Sequence, residues 1–370
     1  MRICFFGTRG IPARYSGFEQ FVEQVGVRLV QRGHEVIVYN RTPFNTFKGK
    51  EFNGVRIVRL PTLPFKYTDT IVHTVLSLLH SLNLRYDVAY FCGVGNALMA
   101  IVPKAAGRKT LVNVDGADYA RAKWSGFGRW WLHRSESWAA RLADVVIADS
   151  RTIQSRYRDR YHVDAEYVSY GANIVTEDPG IEALKQFGLQ SGNYFLYVSR
   201  LTPENAADLT IEAYLQSKAL LPLVVVGDAP YQNAYKARLR ELAAKSPAVF
   251  LAGYQFGEAY RQLSFHARAF ILPTAIDATR PVLLDQMGFG NCIIARDTPG
   301  NVEVLGDDAI YFANALPRES LAEALYKVAS DPAGARTYGE RALARVSQYY
   351  NWDVITAKYE TLFTQLLRRS

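Results

Sequence analysis

The stretch Arg2-Ile3-Cys4-Phe5-Phe6-Gly7-Thr8-Arg9-Gly10-Ile11-Pro12, taken with the pattern that follows it, decides the fold. Arg2–Phe6 reads as a short apolar strand and Gly7–Pro12 as a loop built from turn residues. Phe18, Phe21, Val22, Val25, Leu29 and Val30 then recur every three or four residues, the spacing of one buried helix face. Gly33 stands where a helix end needs a stop, and Glu35–Tyr39 is the next strand, so the chain opens with a strand-helix-strand unit.

The plan recurs in the second half. Tyr194–Val198 reads as a strand, Ser199–Asn205 as a loop, Ala207–Ser217 as a helix, and Leu223–Val226 as a strand ending at Gly227-Asp228. Strands at Val249–Leu251, Phe270–Leu272 and Cys292–Ala295 alternate with helical stretches at Glu258–His266 and Pro281–Phe289. This alternation predicts an α/β protein of two doubly wound, Rossmann-like domains with parallel sheets, facing a central cleft and binding ligands at the strands' carboxyl ends. The expected domains are 1–170 and 171–350, joined near Tyr170-Gly171-Ala172, with 351–370 forming a C-terminal helix that returns to the first domain.

Composition agrees. The 370 residues are enough for two domains of about 150, and 49% hydrophobic with 21% charged residues excludes a disordered, collagenous or disulfide-stapled chain. Cys4, Cys92 and Cys292 include no CxxC pair, which argues against a metal knuckle and for a reducing cytoplasm. The apolar run at the start is too short for a signal-peptide core. Ile71–Leu84 is interrupted by His73, Ser77, His80, Ser81 and Asn83, so no bilayer-spanning segment is expected. The net charge of +8 is unevenly placed: residues 1–170 hold 24 Lys+Arg against 14 Asp+Glu, and the rest hold 19 against 21. Nucleic acid, an anionic membrane surface and a phosphorylated substrate all suit the first half.

Gly7-Thr8-Arg9-Gly10, with Gly17 beyond, is either an anion-binding loop or a tight turn. It matches neither GxGxxG nor GxxxxGK[ST], and Asn40 stands where a dinucleotide fold ends its second strand in an acid. In Arg200-Leu201-Thr202-Pro203-Glu204-Asn205, the arginine is placed to grip a diphosphate or else is simply solvated. Asp277 and Asp285 are carboxylates of a kind that holds ribose or sugar hydroxyls.

Met1–Arg41, with GTRGIPARYSGFEQFVEQVGVRLVQRGHEV, is similar to the opening of a group of bacterial glycosyltransferases in family 4, of the GT-B fold, that includes rhamnosyltransferases of surface-polysaccharide assembly. The resemblance runs on through Asn113–Gly116, Arg121–Trp124, Ala143–Ser150, Tyr170–Ala172, Arg200–Asn205, Val226–Pro230 and Glu303–Asp307, essentially the whole chain. It implies a retaining enzyme without metal or cofactor, moving a sugar such as rhamnose from a nucleotide diphosphate donor to a glycan or lipid-linked glycan. Arg200 would neutralise the departing diphosphate, Gly10 and Gly17 would let the first loop close on the reaction centre, and Asp285 would hold the ribose. Asp277 occupies the first acid of the E-x7-E pattern, and Asp115 lies near the transferred sugar. Asn205, Gly227, Asp228, Thr279 and Arg280 fall on the donor side, and Arg9, Phe18 and Glu19 on the acceptor side.

Two departures bear on specificity. Asn205 takes the place of the wider family's lysine, as in the subgroup, and Asp277-Ala278-Thr279-Arg280-Pro281-Val282, followed by Asp285-Gln286, replaces the usual Gly-Gly-Thr-Asn-Pro-Ser and Glu-Ala. Arg280 would select an acidic sugar, contact a phosphate in place of the lysine, or turn outward; a changed donor preference is the favoured reading. A non-catalytic nucleotide-sugar-binding subunit and a nucleotide-sugar epimerase are the alternatives.

Arg121–Arg160 combines nine Arg and Lys with Trp124, Phe127, Trp130, Trp131 and Trp138. This pattern predicts peripheral contact with an anionic membrane, at the inner face of the cytoplasmic membrane, rather than nucleic-acid binding. Alternatively the tryptophans pack inside and the cations are solvated. His34 reads as a structural cap and Cys292 as core; His133 and His266 receive no role.

Overall fold

β1 (Arg2–Phe6) is the centre of an eight-stranded sheet and is buried from Ile3 onward, as a strand covered on both faces must be. With β2 (Glu35–Thr42), β3 (Glu51–Phe52), β4 (Val55–Pro61), β5 (Val88–Cys92), β6 (Lys109–Asn113), β7 (Val145–Ala148) and β8 (Glu166–Tyr167) it has the order β3-β4-β2-β1-β5-β6-β7-β8. Only the β3–β4 pair is antiparallel. The helices between are α1 (Gly17–Gln31), α2 (Asp69–Ser81), α3 (Ile101–Ala105), α4 (Gly126–Leu142) and α5 (Arg151–Tyr161). A 3-10 segment, Val94–Ala100, follows β5. The computed structural model describes residues 1–13, 17–63, 65, 68–114, 126–229, 232–276 and 280–368.

On one side of this sheet Phe6 stacks between Tyr39 and Phe91, with ring centroids 5.2 and 5.1 Å away. β2 runs three residues past the expected end at Tyr39, through Asn40 and Arg41, because both polar side chains are buried and bonded inside the fold.

The second sheet is wholly parallel and six-stranded. Its strands are β9 (Phe195–Val198), β10 (Leu223–Val226), β11 (Val249–Gly253), β12 (Ala269–Leu272), β13 (Cys292–Arg296) and β14 (Ile310–Phe312), in the order β11-β10-β9-β12-β13-β14. α6 (Glu182–Lys185), α7 (Ala207–Ser217), α8 (Asn233–Ala243), α9 (Gly257–Phe265), α10 (Pro281–Gly288), α11 (Pro299–Leu305), α12 (Pro317–Ser330) and α13 (Pro332–Tyr349) complete it. Each of the last four begins with proline, whose fixed φ and missing N–H suit the first helical position. Cys292 lies in this core, where burial pushes its thiol up to about 12 and leaves it inert.

The chain thus divides into Met1–Gly171 with Trp352–Ser370, and Ala172–Asn351. α14 (Trp352–Arg368) packs on α1 of the first unit. Tyr359 and Phe363 join Phe5, Phe21 and Tyr90 in one aromatic cluster, and the Tyr359 and Tyr90 hydroxyls lie 3.1 Å apart. Arg28 bonds Asp353 at 3.1 Å, and Arg32 and His34 both bond Glu360 at 2.8 Å. His34, whose Nδ1 lies 3.3 Å from the Met1 amine, is therefore a strut between the two ends of the chain. No helix among the described residues is long and apolar enough to cross a membrane.

Candidate active site

In each sheet the strand order reverses once, between β1 and β5 and between β9 and β12, and a parallel sheet opens a crevice for ligands at such a point. Of the residues singled out in the sequence, Arg9, Gly10, Arg200, Asn205 and Arg280 lie on the loops there.

In the first unit, the loop after β1 is clamped from below. Gly7 and Gly10 have φ of +88° and +101°, a region that favours glycine. A side chain at Gly10 would run into Asn40, and one at Gly7 into Asn96 Nδ2 and the Cys92 carbonyl. Asn40 is wholly buried; it accepts from Ile11 N–H at 3.0 Å and donates to the Ile11 carbonyl at 2.6 Å. Where a dinucleotide fold places an acid for ribose, this chain has an amide that holds its own loop. Arg41, 2% exposed, donates to the Thr8 carbonyl at 3.2 Å and to Asp69 and Thr70, both at 3.0 Å. Burial lowers its pKa, and the Asp69 carboxylate offsets part of that.

Arg9 is half-buried with its guanidinium 4.6 Å from the Phe44 ring centroid. Gly17 is the first residue of α1, Glu19 is buried in that helix's first turn, and the Phe18 ring sits 6.3 Å from that of Tyr170. Asp115 lies outside the described residues, as do Asp277 and Thr279 of the second unit.

In the second unit Arg200 is exposed at the carboxyl end of β9. Arg280 is the N-cap residue of α10, after the neighbouring strand β12. The two loops are bolted together: Arg280 donates to Asn205 Oδ1 at 3.2 Å and to Thr274 Oγ1 at 2.9 Å, while Thr274 donates to the Glu204 carbonyl at 3.0 Å. Asn205, 4% exposed, in turn donates to the Arg200 carbonyl at 2.9 Å and Thr202 Oγ1 at 3.1 Å. Arg280 therefore turns inward, against Asn205 and Thr274, and not outward. Two guanidiniums and the positive end of α10 suit an anion with several oxygens.

Gly227, with φ of +141°, leaves no room for a side chain against the Ser199 carbonyl, which lets the loops after β9 and β10 approach. Asp228 pairs with Lys236 at 2.9 Å, and this bond, helped by the Ala229 N–H, holds its carboxyl below the usual range. Asp285 is half-buried on α10, and its charge adds to burial in pushing the Tyr260 phenol up. Gln286 beside it faces the core, bonded to Ser264 at 2.8 Å and Asn291 at 2.7 Å. Sequence reasoning missed Thr274 and Arg41 as site scaffolding; a charged residue inside the strand Glu35–Thr42 was the available signal.

The aromatic segment divides. Trp131 donates to the Gly95 carbonyl at 3.1 Å and Trp138 packs against the core, whereas Phe127 and Trp130 are exposed. Among the described residues no group of three or more His, Cys, Asp or Glu is arranged to hold a metal ion.

Two family models match: residues 1–173 match "Domain of unknown function (DUF1972)", and residues 192–331 match "Glycosyl transferases group 1". Alpha-monoglucosyldiacylglycerol synthase of Streptococcus pneumoniae is 20% identical over 100% of this chain and 91% of its own. The exopolysaccharide phosphotransferase SCO2592 of Streptomyces coelicolor is 30% identical over 190 residues, 48% of this chain and only 19% of that protein. Among solved structures, sucrose-phosphate synthase of Thermosynechococcus elongatus superposes with a TM-score of 0.80 at 21% identity, over 100% of both chains. Anabaena HepE in complex with UDP gives 0.79 at 17%, over 99% of this chain and 100% of that one. The fold is GT-B, and the match over residues 192–331 supports a glycosyltransferase.

Proposed function

We propose that this chain, with its glycosyl transferases group 1 domain over 192–331, is a retaining, metal-independent glycosyltransferase of the family 4 type. It moves a hexose or deoxyhexose, rhamnose among them, from a nucleotide diphosphate to a lipid-linked glycan at the inner face of the cytoplasmic membrane, in surface-polysaccharide assembly. The observation that carries this reading is the placement of Arg200 and Arg280 on the loops after the adjoining strands β9 and β12, with Arg280 at the N-terminus of α10. HepE with UDP supports a nucleotide diphosphate ligand, and a relative that is a diacylglycerol glucosyl synthase supports a lipid acceptor.

Cleavage of the anomeric C–O bond leaves positive charge on the sugar and negative charge on the diphosphate. Fixed cations already in place around the phosphates stabilise that separation without reorganising. Arg200 and Arg280 take this role, and Asp285 holds the ribose. A phosphate oxygen on the same face takes the acceptor hydroxyl's proton as the new bond forms, so the anomeric configuration is kept. Calorimetry with dTDP-, UDP- and GDP-sugars tests the reading: no binding to any of them, with Arg200→Ala indistinguishable from the parent, would refute it.

A further inference from the structure

Ser191, His266 and Asp178 form a hydroxyl–imidazole–carboxylate chain in the second unit, with Ser191 just before β9 and His266 just before β12. Arg200 and Arg280 follow the opposite ends of these two strands, so the proposed glycosyl transfer makes no use of this chain. Ser191 Oγ lies 2.8 Å from His266 Nδ1. His266 Nε2 lies 3.1 Å from Asp178 Oδ1 and 3.0 Å from the Gly180 carbonyl. A carbonyl and an ionised carboxylate can only accept. In the neutral ring the proton therefore sits on Nε2, and Nδ1 turns its lone pair to the serine hydroxyl. That is the protonation pattern of a general base set against its nucleophile.

The geometry is held from both sides. His266 is 6% exposed, and its ring stands edge-on to that of Phe265 with centroids 5.1 Å apart. Asp178 Oδ1 also accepts from the Gly180 N–H at 2.8 Å, and Gln262 donates to the Pro179 carbonyl at 2.8 Å, which fixes the carboxylate's segment. The turn bearing Ser191 is pinned through Gly192, whose N–H donates to the His266 carbonyl at 2.8 Å and whose carbonyl accepts from Arg268 Nε at 2.7 Å. With these bonds in place, the turn does not need the serine side chain as a strut. Ser191 is exposed, and Gly192 has open space where a side chain would stand, so a reagent can reach the hydroxyl. The Ser191 N–H has no partner among the described residues and is a spare donor for an oxyanion formed beside it.

We propose that Ser191 is a nucleophilic serine acylated by activated esters, with His266 as its general base and Asp178 orienting the ring. Oγ adds to the ester carbonyl carbon while its proton passes to Nδ1. The bond to the leaving oxygen then breaks, and that oxygen takes the proton from Nδ1, giving acyl-Ser191 and an alcohol. Water repeats the sequence, restoring the serine and releasing a carboxylic acid. This chemistry is separate from the glycosyltransferase reading and stands or falls without it.

The test is reaction of the full chain with p-nitrophenyl acetate, followed by absorbance and by peptide mass spectrometry. A burst of nitrophenolate and an acetyl group on the Ser191 peptide are expected, and Ser191→Ala should abolish both. His266→Gln keeps a donor near the place of Nε2 and removes the base. It should slow acetylation of Ser191 at least about a hundredfold, the lower end for a positioned base. Acetyl groups on amines alone, a burst that survives in Ser191→Ala, or equal Ser191 acetylation in the parent and His266→Gln would overturn the proposal. Ser191 is exposed, so its alanine variant keeps the parent's melting temperature and decides the matter even where His266→Gln loosens the fold.

Discussion

The Asn40 side chain brackets the Ile11 peptide, receiving its N–H at 3.0 Å and donating to its carbonyl at 2.6 Å, in a spot without solvent. Asn40→Leu keeps the volume and removes both partners. Two buried backbone groups are then unpaired, at a cost of roughly 2–5 kcal/mol. The variant is expected to melt roughly 10 °C lower in calorimetry; an unchanged melting temperature would show that the bracket adds nothing.

Arg280 reaches across to Asn205 from the neighbouring loop, and its charge is expected to count in diphosphate binding. Arg280→Ala should weaken nucleoside diphosphates roughly tenfold to a hundredfold and nucleosides hardly at all, the range expected for charge-assisted hydrogen bonds. Adding Asn205→Lys to that variant returns a cation to the same place and should recover much of the loss. Calorimetric titration of UDP, dTDP and uridine against the three proteins decides it.

Acid should destabilise the first unit through His73. Burial, aided by the nearby Arg41 guanidinium, pushes its imidazole down from 6.5 to about 4. On lowering pH the unfolded chain takes up the proton first. The contribution is therefore complete above pH 6.5 and is lost between there and about 4. The loss amounts to about 3 kcal/mol for a shift of this size. In thermal melts across this range, His73→Asn should show a flatter profile than the parent; parallel profiles would exclude His73 as the cause.

A chain ended at Asn351 loses α14, and with it Trp352, Tyr359 and Phe363 from the first unit's core. Removing one such aromatic side chain costs about 3–5 kcal/mol, and removing three together is comparable with the whole stability of an ordinary domain. The truncated protein should keep a protease-resistant fragment of the second unit and lose the first. Two resistant fragments would contradict this.

Much of the fold was legible because parallel strands are short apolar runs between helical repeats: Leu223–Val226 and Ala207–Ser217 fall where the sequence put them. Asn40 and Arg41 cut the expected second strand short because polarity marks a strand end only when the side chains meet water, and these two meet the first loop. Arg200 could be placed at a strand end from sequence, but the direction of Arg280 could not, since it depends on Asn205 and Thr274 across two loops. α2 was the least legible element. Its interrupted apolar run excluded a membrane span, but serine hydroxyls bonded to their own helix leave nothing in the periodicity to tell inner face from outer.

Because the first unit is closed by the last helix of the chain, a ribosome makes its beginning and its end as separate events. The aromatic surface of Phe5, Phe21 and Tyr90 emerges early and waits, uncovered, while all of Ala172–Asn351 is translated, roughly ten to forty seconds at usual elongation speeds. The second unit is complete first, in reverse of the written order. Throughout that interval the nascent N-terminal half holds the core between its own strands and helices but leaves open the apolar face that the last helix covers.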